Sequence, residues 1–239
     1  MKFYQEFSRY YDHIFPFKEV KLHFLQENLS EKGKVLDLAT GTGTYPIALA
    51  KRGYRLTAVD LSKQMIATAN NKAKEEGVSI DFQNEDIKKI DALYSIESFD
   101  LISCIGNSLV HLDGVDEIRE LISKIYSLLK KEGTFALQIV NYDRILAKDI
   151  TKLPSIEGAD GIKLIRNYES QGPKINFKTL LKTPNGEFNN SVLLYPLTSD
   201  KLRDILVETG FKKINLYGNF QFDDYKPLES FSLVITGSK

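Results

Sequence analysis

Between residues 34 and 140, short apolar runs alternate with stretches of helical periodicity, and this alternation constrains the fold more than any other feature. The apolar runs are KVLDL, YRLTAVD, VSIDFQ, FDLISCI and GTFALQIV. The clearest helical stretch is 115–131, where apolar side chains recur every three or four residues. Strands separated by helices of this length form crossover units. The sequence therefore predicts an α/β fold with a mostly parallel sheet and helices on both faces.

The chain changes character on either side of this region. Two helices are predicted before it, over 3–15 and 17–29, with Pro16 between them. After about residue 142, three β-rich runs separated by the turn sequences QGP and PNG indicate a small antiparallel insertion. A helix over Ser199–Thr209 and two final strands follow. These two strands bring the predicted main sheet to seven.

Composition limits the classes of function. The 239 residues carry 32 basic and 32 acidic side chains, so the formal net charge is zero, whereas nucleic-acid binders usually show a basic excess. No apolar segment approaches the length of a membrane span. The single cysteine, Cys104, excludes an internal disulfide and suits the cytoplasm. With three scattered histidines and one cysteine, no metal site is predicted.

The stretch KVLDLATGTGTYPIALA, residues 34–50, runs from a strand through a loop with two glycines into a helix. Glycines there let the backbone approach a ligand closely. Pro46 stands where the dinucleotide fingerprint G-x-G-x-x-G has its third glycine, and the Gly-Lys-Ser/Thr ending of a P-loop is absent. A nicotinamide-dependent oxidoreductase therefore remains only as a disfavoured alternative. What is left is the pattern Asp37-x-Ala39-x-Gly41-x-Gly43.

This pattern resembles the first motif of class I S-adenosylmethionine-dependent methyltransferases, D/E-x-G-x-G-x-G, with alanine at the first glycine. Four later segments resemble the family's other motifs, in order: TAVDLSKQMIATA, FQNEDIKKI, FDLISCIGNSLVHL and LLKKEGTFAL. The resemblance covers about 35–140. It implies a Rossmann-like seven-stranded sheet with the last strand antiparallel. It also implies S-adenosylmethionine (SAM) as methyl donor and S-adenosylhomocysteine as product.

The resemblance carries cofactor roles onto residues at the carboxyl ends of the predicted strands, where open parallel sheets bind ligands. Asp60 offers two acceptor oxygens to the ribose hydroxyls, and Asp86 an acceptor to the adenine amino group. Met65 offers a polarizable side chain to the adenine, although a place in the core explains it more simply. The implied cofactor residues are Asp37, Ala39, Gly41, Gly43, Asp60, Leu61, Met65, Asp86, Ile87 and Cys104.

The segments GNSLVHL and NYDRI resemble stretches of glycine and sarcosine N-methyltransferases, which implies a small amine or amino acid as methyl acceptor. His111 is a candidate general base, Asn107 a candidate orienting group and Tyr142 an aromatic face for the sulfonium. His111 and Asn107 each have an equally simple structural explanation as loop or turn residues. The candidate acceptor-binding residues are Tyr11, Arg166 and Tyr168; Tyr11 serves equally well as core, and exposed strand positions explain the other two more simply.

Four segments follow from this interpretation. They are an N-terminal helical lid (1–32), a SAM-binding core (33–142), an antiparallel insertion that caps the acceptor (143–197) and a C-terminal completion of the core sheet (198–239). The N/D-P-P-Y/F signature of enzymes that methylate DNA bases or glutamine is absent. The sequence therefore predicts methyl transfer to nitrogen or oxygen of a small molecule by a monomer or homodimer. A non-catalytic SAM-binding protein remains an alternative.

Overall fold

Two β-sheets organise the chain. A computed structural model describes residues 2–29, 32–158 and 161–239, so parts of the predicted lid and insertion (residues 1, 30, 31, 159 and 160) lie outside the described residues. The strands are β1 Lys34–Leu38, β2 Arg55–Asp60, β3 Asp81–Asn84, β4 Phe99–Cys104, β5 Leu129–Val140, β6 Lys152–Glu157, β7 Lys163–Gln171, β8 Lys174–Thr183, β9 Gly186–Leu194, β10 Lys212–Tyr217 and β11 Ser232–Ser238.

Seven of these strands form the main sheet, in the order β10-β11-β5-β4-β1-β2-β3. The neighbouring pairs from β5 to β3 run parallel, while β11 runs antiparallel to both of its neighbours, β5 and β10. The predicted Rossmann-like seven-stranded sheet with an antiparallel last strand is confirmed. Because β1 lies between β4 and β2, the ends of these three strands meet at the middle of one edge.

The helices pack on both faces of this sheet. They are α1 Lys2–Ile14, α2 Glu19–Glu27, α3 Thr44–Ala50, α4 Lys63–Glu75, α5 Ile90–Leu93, α6 Val115–Leu128, α7 Tyr142–Ala147 and α8 Ser199–Thr209. Successive side chains of β1 point to opposite faces of the sheet. On one face, Val35 packs with Leu22 and Leu49. On the other face, Leu36 packs in a cluster with Ile122 and Leu206.

Strands β6 to β9 form a separate four-stranded antiparallel sheet, called the inserted sheet below. One face is buried, and it makes two apolar contacts. At one end, Leu164 and Leu181 pack in a cluster with Phe3 and Ile14 of α1. At the other end, Tyr168 belongs to the main core. The inserted sheet therefore bridges α1 and the main domain.

The structure differs from the sequence-based expectation in several elements. The insertion has four strands rather than three, because Pro154 disguises the edge strand β6. The long helix ends at Leu128 instead of residue 131, since Leu129 already pairs with Phe99 of β4. Helix α7 was not predicted. No described helix has the length and apolar character that crossing a membrane requires.

Candidate active site

The loop between β1 and α3 bends through three left-handed residues, Ala39 (φ 55°), Gly41 (φ 58°) and Gly43 (φ 73°). The Thr40 N–H donates to the Val59 carbonyl oxygen at 3.0 Å, which fixes the loop against β2. A Cβ on Gly43 would lie 2.9 Å from the ring of Phe82. Gly43 is therefore required by close packing as well as by its backbone angle.

Asp60, the last residue of β2, ties this loop to the start of the next helix. One carboxylate oxygen accepts the Gly41 N–H and the other accepts the Ser62 N–H, both at 2.8 Å. Burial raises the pKa of Asp60, and these two hydrogen bonds oppose that rise. Each oxygen keeps a second lone pair, so the carboxylate can still accept hydrogen bonds from two hydroxyls of a ligand.

Asp37 lies beneath the loop and is almost completely buried. The Ser103 hydroxyl of β4 donates to its Oδ1 at 2.6 Å, across the register pair of β1 and β4. Burial raises the pKa of Asp37 to about 6, and the hydrogen bond from Ser103 opposes this shift. Asp37 therefore holds β1 and β4 together where the glycine loop begins.

Helix α1 covers the glycine loop. The ring and hydroxyl of Tyr11 lie 3.2–3.3 Å from the position that a Cβ on Gly41 would take, so a side chain there would press on Tyr11, and the φ of 58° also favours glycine. Burial, followed by the negative charges of Asp60 and Asp12, raises the pKa of Tyr11. Tyr11, predicted to bind the acceptor, is thus placed at the glycine loop.

The next residue of α1, Asp12, holds the helix in place through what we call the Asp12 network, made of Asp12, Thr42, Thr44 and Lys72. Oδ1 of Asp12 accepts the hydroxyls of Thr42 at 2.6 Å and Thr44 at 3.1 Å. Oδ2 accepts the Lys72 ammonium of α4 at 2.6 Å. Sequence reasoning missed this network, because its members are far apart in the chain and form no motif.

The remaining predicted cofactor residues differ in how deeply they are buried. Leu61 is 73% exposed, and Asp86 uses Oδ1 to accept the Lys88 N–H at the start of a short 3₁₀ turn. Met65 and Cys104 are buried in the core, and burial raises the pKa of Cys104 to about 12. Ile87 is partly buried against the main core.

On the other side of the central strands, three candidate residues form a hydrogen-bonded series. Asn107 has a left-handed φ of 72°. Its Oδ1 accepts the Val140 N–H at 2.9 Å, and its Nδ2 donates to the Tyr142 hydroxyl at 3.2 Å. Tyr142 in turn is hydrogen-bonded to Tyr168 of β7. Tyr142 is only 1% exposed. It therefore presents almost no surface to a ligand, and its aromatic contact with a sulfonium stays a prediction.

Two further candidates flank this series. His111 ends the short 3₁₀ helix Leu109–His111 and is exposed, while the surrounding protein partly desolvates its ring and lowers its pKa. Arg166 of β7 donates from Nη2 to the Pro154 carbonyl oxygen at 2.6 Å. Its Nε is buried and has no hydrogen-bond partner among the described residues.

Comparison with known proteins identifies the family. Residues 35–133 match the family described as methyltransferase domain. A glycine/sarcosine N-methyltransferase of Aphanothece halophytica is 31% identical over 205 residues, which cover 83% of this chain and 74% of that protein. The chain belongs to the S-adenosylmethionine-dependent methyltransferases. The nicotinamide-dependent and non-catalytic alternatives are thereby set aside.

Solved structures show the same fold as this methyltransferase. A SAM-dependent methyltransferase from Clostridium acetobutylicum superposes with a TM-score of 0.78 at 18% identity, covering 98% of each chain. An amino pentose methyltransferase from Micromonospora echinaspora, solved with SAM bound, gives a TM-score of 0.64 at 16% identity, covering 92% of this chain and 89% of that one.

The residues at the glycine loop fit SAM, the cofactor of the family. Asp60 keeps free lone pairs at the carboxyl end of β2. Leu61 beside it is an apolar side chain left 73% exposed, as a residue that covers an adenine ring would be before binding. Asp60 and Leu61 would hold the nucleoside part of the cofactor, while Gly41 lies buried beneath Tyr11.

The Asp12 network leads to a prediction for cofactor affinity. Asp12→Asn removes the charge that pairs with Lys72, so α1 should cover the glycine loop less tightly. Because the side chains of Lys72 and Asp12 are 28% and 41% exposed, we expect a modest effect, with the Kd for S-adenosylhomocysteine rising about 3- to 10-fold in calorimetric titration.

The matched control is Glu76→Gln. It removes the exposed ion pair between Lys51 and Glu76, which also joins the α3 and α4 regions but leaves α1 untouched. An Asp12→Asn protein that binds S-adenosylhomocysteine as tightly as the Glu76→Gln control would show that the network plays no part in holding the cofactor.

Proposed function

We propose that this methyltransferase transfers the methyl group of SAM to nitrogen, or alternatively oxygen, of a small amine or amino acid that binds beneath the inserted sheet. The observation that carries the proposal is the hydrogen-bonded series from Asn107 through Tyr142 to Tyr168. This series connects the loop after β4 and the end of β5 to the buried face of the inserted sheet. An acceptor lying between these elements faces the edge of the main sheet where the cofactor binds.

The four segments predicted from the sequence take matching roles in this proposal. Residues 1–32 act as a lid through α1, and 33–142 bind the cofactor. Residues 143–197 cap the acceptor, and 198–239 complete the main sheet. Support for the lid comes from Tyr11 lying against Gly41. Support for the cap comes from the inserted sheet, which packs on both α1 and the main core.

The cofactor supplies an electrophilic methyl group, so the protein's task is to align the acceptor and set its protonation state. His111 takes the proton from the acceptor's amino group. Asn107 orients the acceptor, and Tyr142 acts as a positioning residue because its hydroxyl fixes the amide of Asn107. Tyr11 closes the site from above.

On the cofactor side, Asp60 binds the ribose hydroxyls, and Asp86 with the Ile87 backbone binds the adenine. The backbone from Ala39 to Gly43 lies along the methionine part of the cofactor. Asp37 acts as a positioning residue, since it links the loop to β4 through Ser103. Met65 and the backbone of Cys104 line the floor of the site.

An acceptor with a carboxylate suits the cap. Arg166 makes one hydrogen bond, to a backbone oxygen, and its Nε is buried without a partner among the described residues. Burial lowers the pKa of Arg166, as expected for a cation without a neighbouring carboxylate. A carboxylate is the partner that a guanidinium binds best. The glycine/sarcosine N-methyltransferase relative supports an acceptor that carries both an amine and a carboxylate.

The charge balance supports a small molecule over a nucleic acid, since basic and acidic residues are equal in number. The single cysteine is buried and free, which fits a cytoplasmic protein. In this proposal the protein functions as a monomer or homodimer.

The direct test is methyl transfer to glycine, sarcosine, their amides and ethanolamine by wild-type protein and Arg166→Gln. We expect the carboxylate-bearing amines to be methylated, and we expect Arg166→Gln to raise their KM about 10- to 100-fold with little change in kcat. Arg119→Gln, which breaks a surface ion pair with Glu208, is the control. Absence of transfer to every amine would overturn the proposal.

The role of His111 predicts a pH dependence. A general base must be neutral, and partial desolvation places the pKa of His111 below its usual value near 6.5. The kcat/KM of wild-type protein should therefore rise with pH below about pH 6.5, as His111 loses its proton; we call this rise the acidic limb. It is separate from the rise at alkaline pH that deprotonation of the amine substrate causes. His111→Gln should lower kcat/KM about 10²-fold and lose the acidic limb. An unchanged acidic limb would assign the proton transfer to another group.

A further inference from the structure

Three polar side chains lie next to one another across the buried face of the inserted sheet. Arg166 of β7 is paired in register with Thr179 of β8, and Thr179 is paired with Asn190 of β9. Their neighbours two residues away on the same face are mostly apolar, such as Leu164 and Leu181. We call these three residues the polar row.

The polar row occupies the part of this face that lies between its two apolar contacts. On one side of the row, Leu164 and Leu181 pack against α1. On the other side, Tyr168 reaches Tyr142 at the start of α7. The row therefore lies between the part of the sheet that packs on α1 and the part that packs on the main core. In the proposed function, this is where the acceptor approaches the cofactor.

Thr179 is the unexpected member of the row. It is only 6% exposed, yet its hydroxyl has no hydrogen-bond partner among the described residues. The Nε of its neighbour Arg166 is buried and unpartnered in the same way. A buried polar group without a partner destabilises a fold, so two adjacent ones indicate that a ligand completes them. Sequence reasoning named Arg166 but gave no reason to consider Thr179.

We propose that Thr179 determines acceptor specificity, by donating its hydroxyl proton to one oxygen of a carboxylate whose other oxygen accepts from Arg166 Nε. This inference rests on the proposed function in one respect, that the acceptor occupies this cleft. Arg166 Nε can only donate and the Thr179 hydroxyl can donate as well, so the two atoms suit a group with two acceptor oxygens. The positive charge of Arg166 favours an anion over a neutral group.

The test measures binding and stability rather than turnover, so it does not depend on identifying the true acceptor. The protein is loaded with S-adenosylhomocysteine and titrated with acetate and with acetamide, with binding followed by NMR. The variants are Thr179→Val, which keeps the shape and removes the hydroxyl, and Thr179→Ser, which keeps the hydroxyl. Thr209→Val is the control, because its hydroxyl has a partner, the Ile205 carbonyl oxygen at 2.7 Å in α8.

We expect wild-type protein to bind acetate more tightly than acetamide. Thr179→Val should weaken acetate binding about 5- to 20-fold, whereas Thr179→Ser should stay within about 3-fold of wild type. Without a carboxylate, Thr179→Val should raise Tm by about 2–4 °C, since it removes an unsatisfied buried hydroxyl, and Thr209→Val should not. The variant that loses ligand affinity is thus the one that gains stability.

Three results would overturn the inference. The first is equal binding of acetate and acetamide by wild-type protein, and the second is unchanged acetate affinity in Thr179→Val. The third is a lower Tm in Thr179→Val, because that result would mean that the hydroxyl has a partner within the fold. Failure of the proposed function would give a different result. The protein would methylate none of the amines, although its binding of acetate would still depend on Thr179.

Discussion

The hydrogen bond from the Gly41 N–H to the Asp60 carboxylate is the contact on which the rest of the site depends. It joins the glycine loop after β1 to the end of β2, so two strand ends that meet at the middle of the sheet act as one unit. Asp37 extends this unit to β4 through Ser103. The same Asp60 carboxylate keeps free lone pairs, so in our proposal one residue both shapes the loop and binds the cofactor.

Two added elements convert this edge into a closed site. Helix α1 lies on the loop through Tyr11 and is held there by the Asp12 network. The inserted sheet packs on α1 at one end and on the main core at the other. The inserted sheet therefore contacts both the helix that covers the loop and the main core. In our proposal, the polar row between these contacts selects the acceptor, and the unpartnered hydroxyl of Thr179 costs some stability.

The sequence predicted what depends on local pattern. Alternating apolar runs identified the strands of the main sheet, and the spacing from Asp37 to Gly43 identified the glycine loop. Pro154 concealed an edge strand, because proline interrupts the pattern without preventing a strand at an edge. The Asp12 network and the polar row depend on which residues meet across elements. No spacing rule in a single sequence contains that information, so Asp12 and Thr179 became visible only in the structure.

The central claim is that the Asp60 carboxylate holds the nucleoside of SAM beside the glycine loop. Calorimetric titration of S-adenosylhomocysteine into wild-type protein and Asp60→Asn tests it most directly, with NADH as the comparison ligand. The account predicts tight binding of S-adenosylhomocysteine, none of NADH, and a loss of at least about 10-fold in affinity in Asp60→Asn, since hydrogen bonds to a charged acceptor are lost. Equal affinity of the folded variant and wild type would contradict the account.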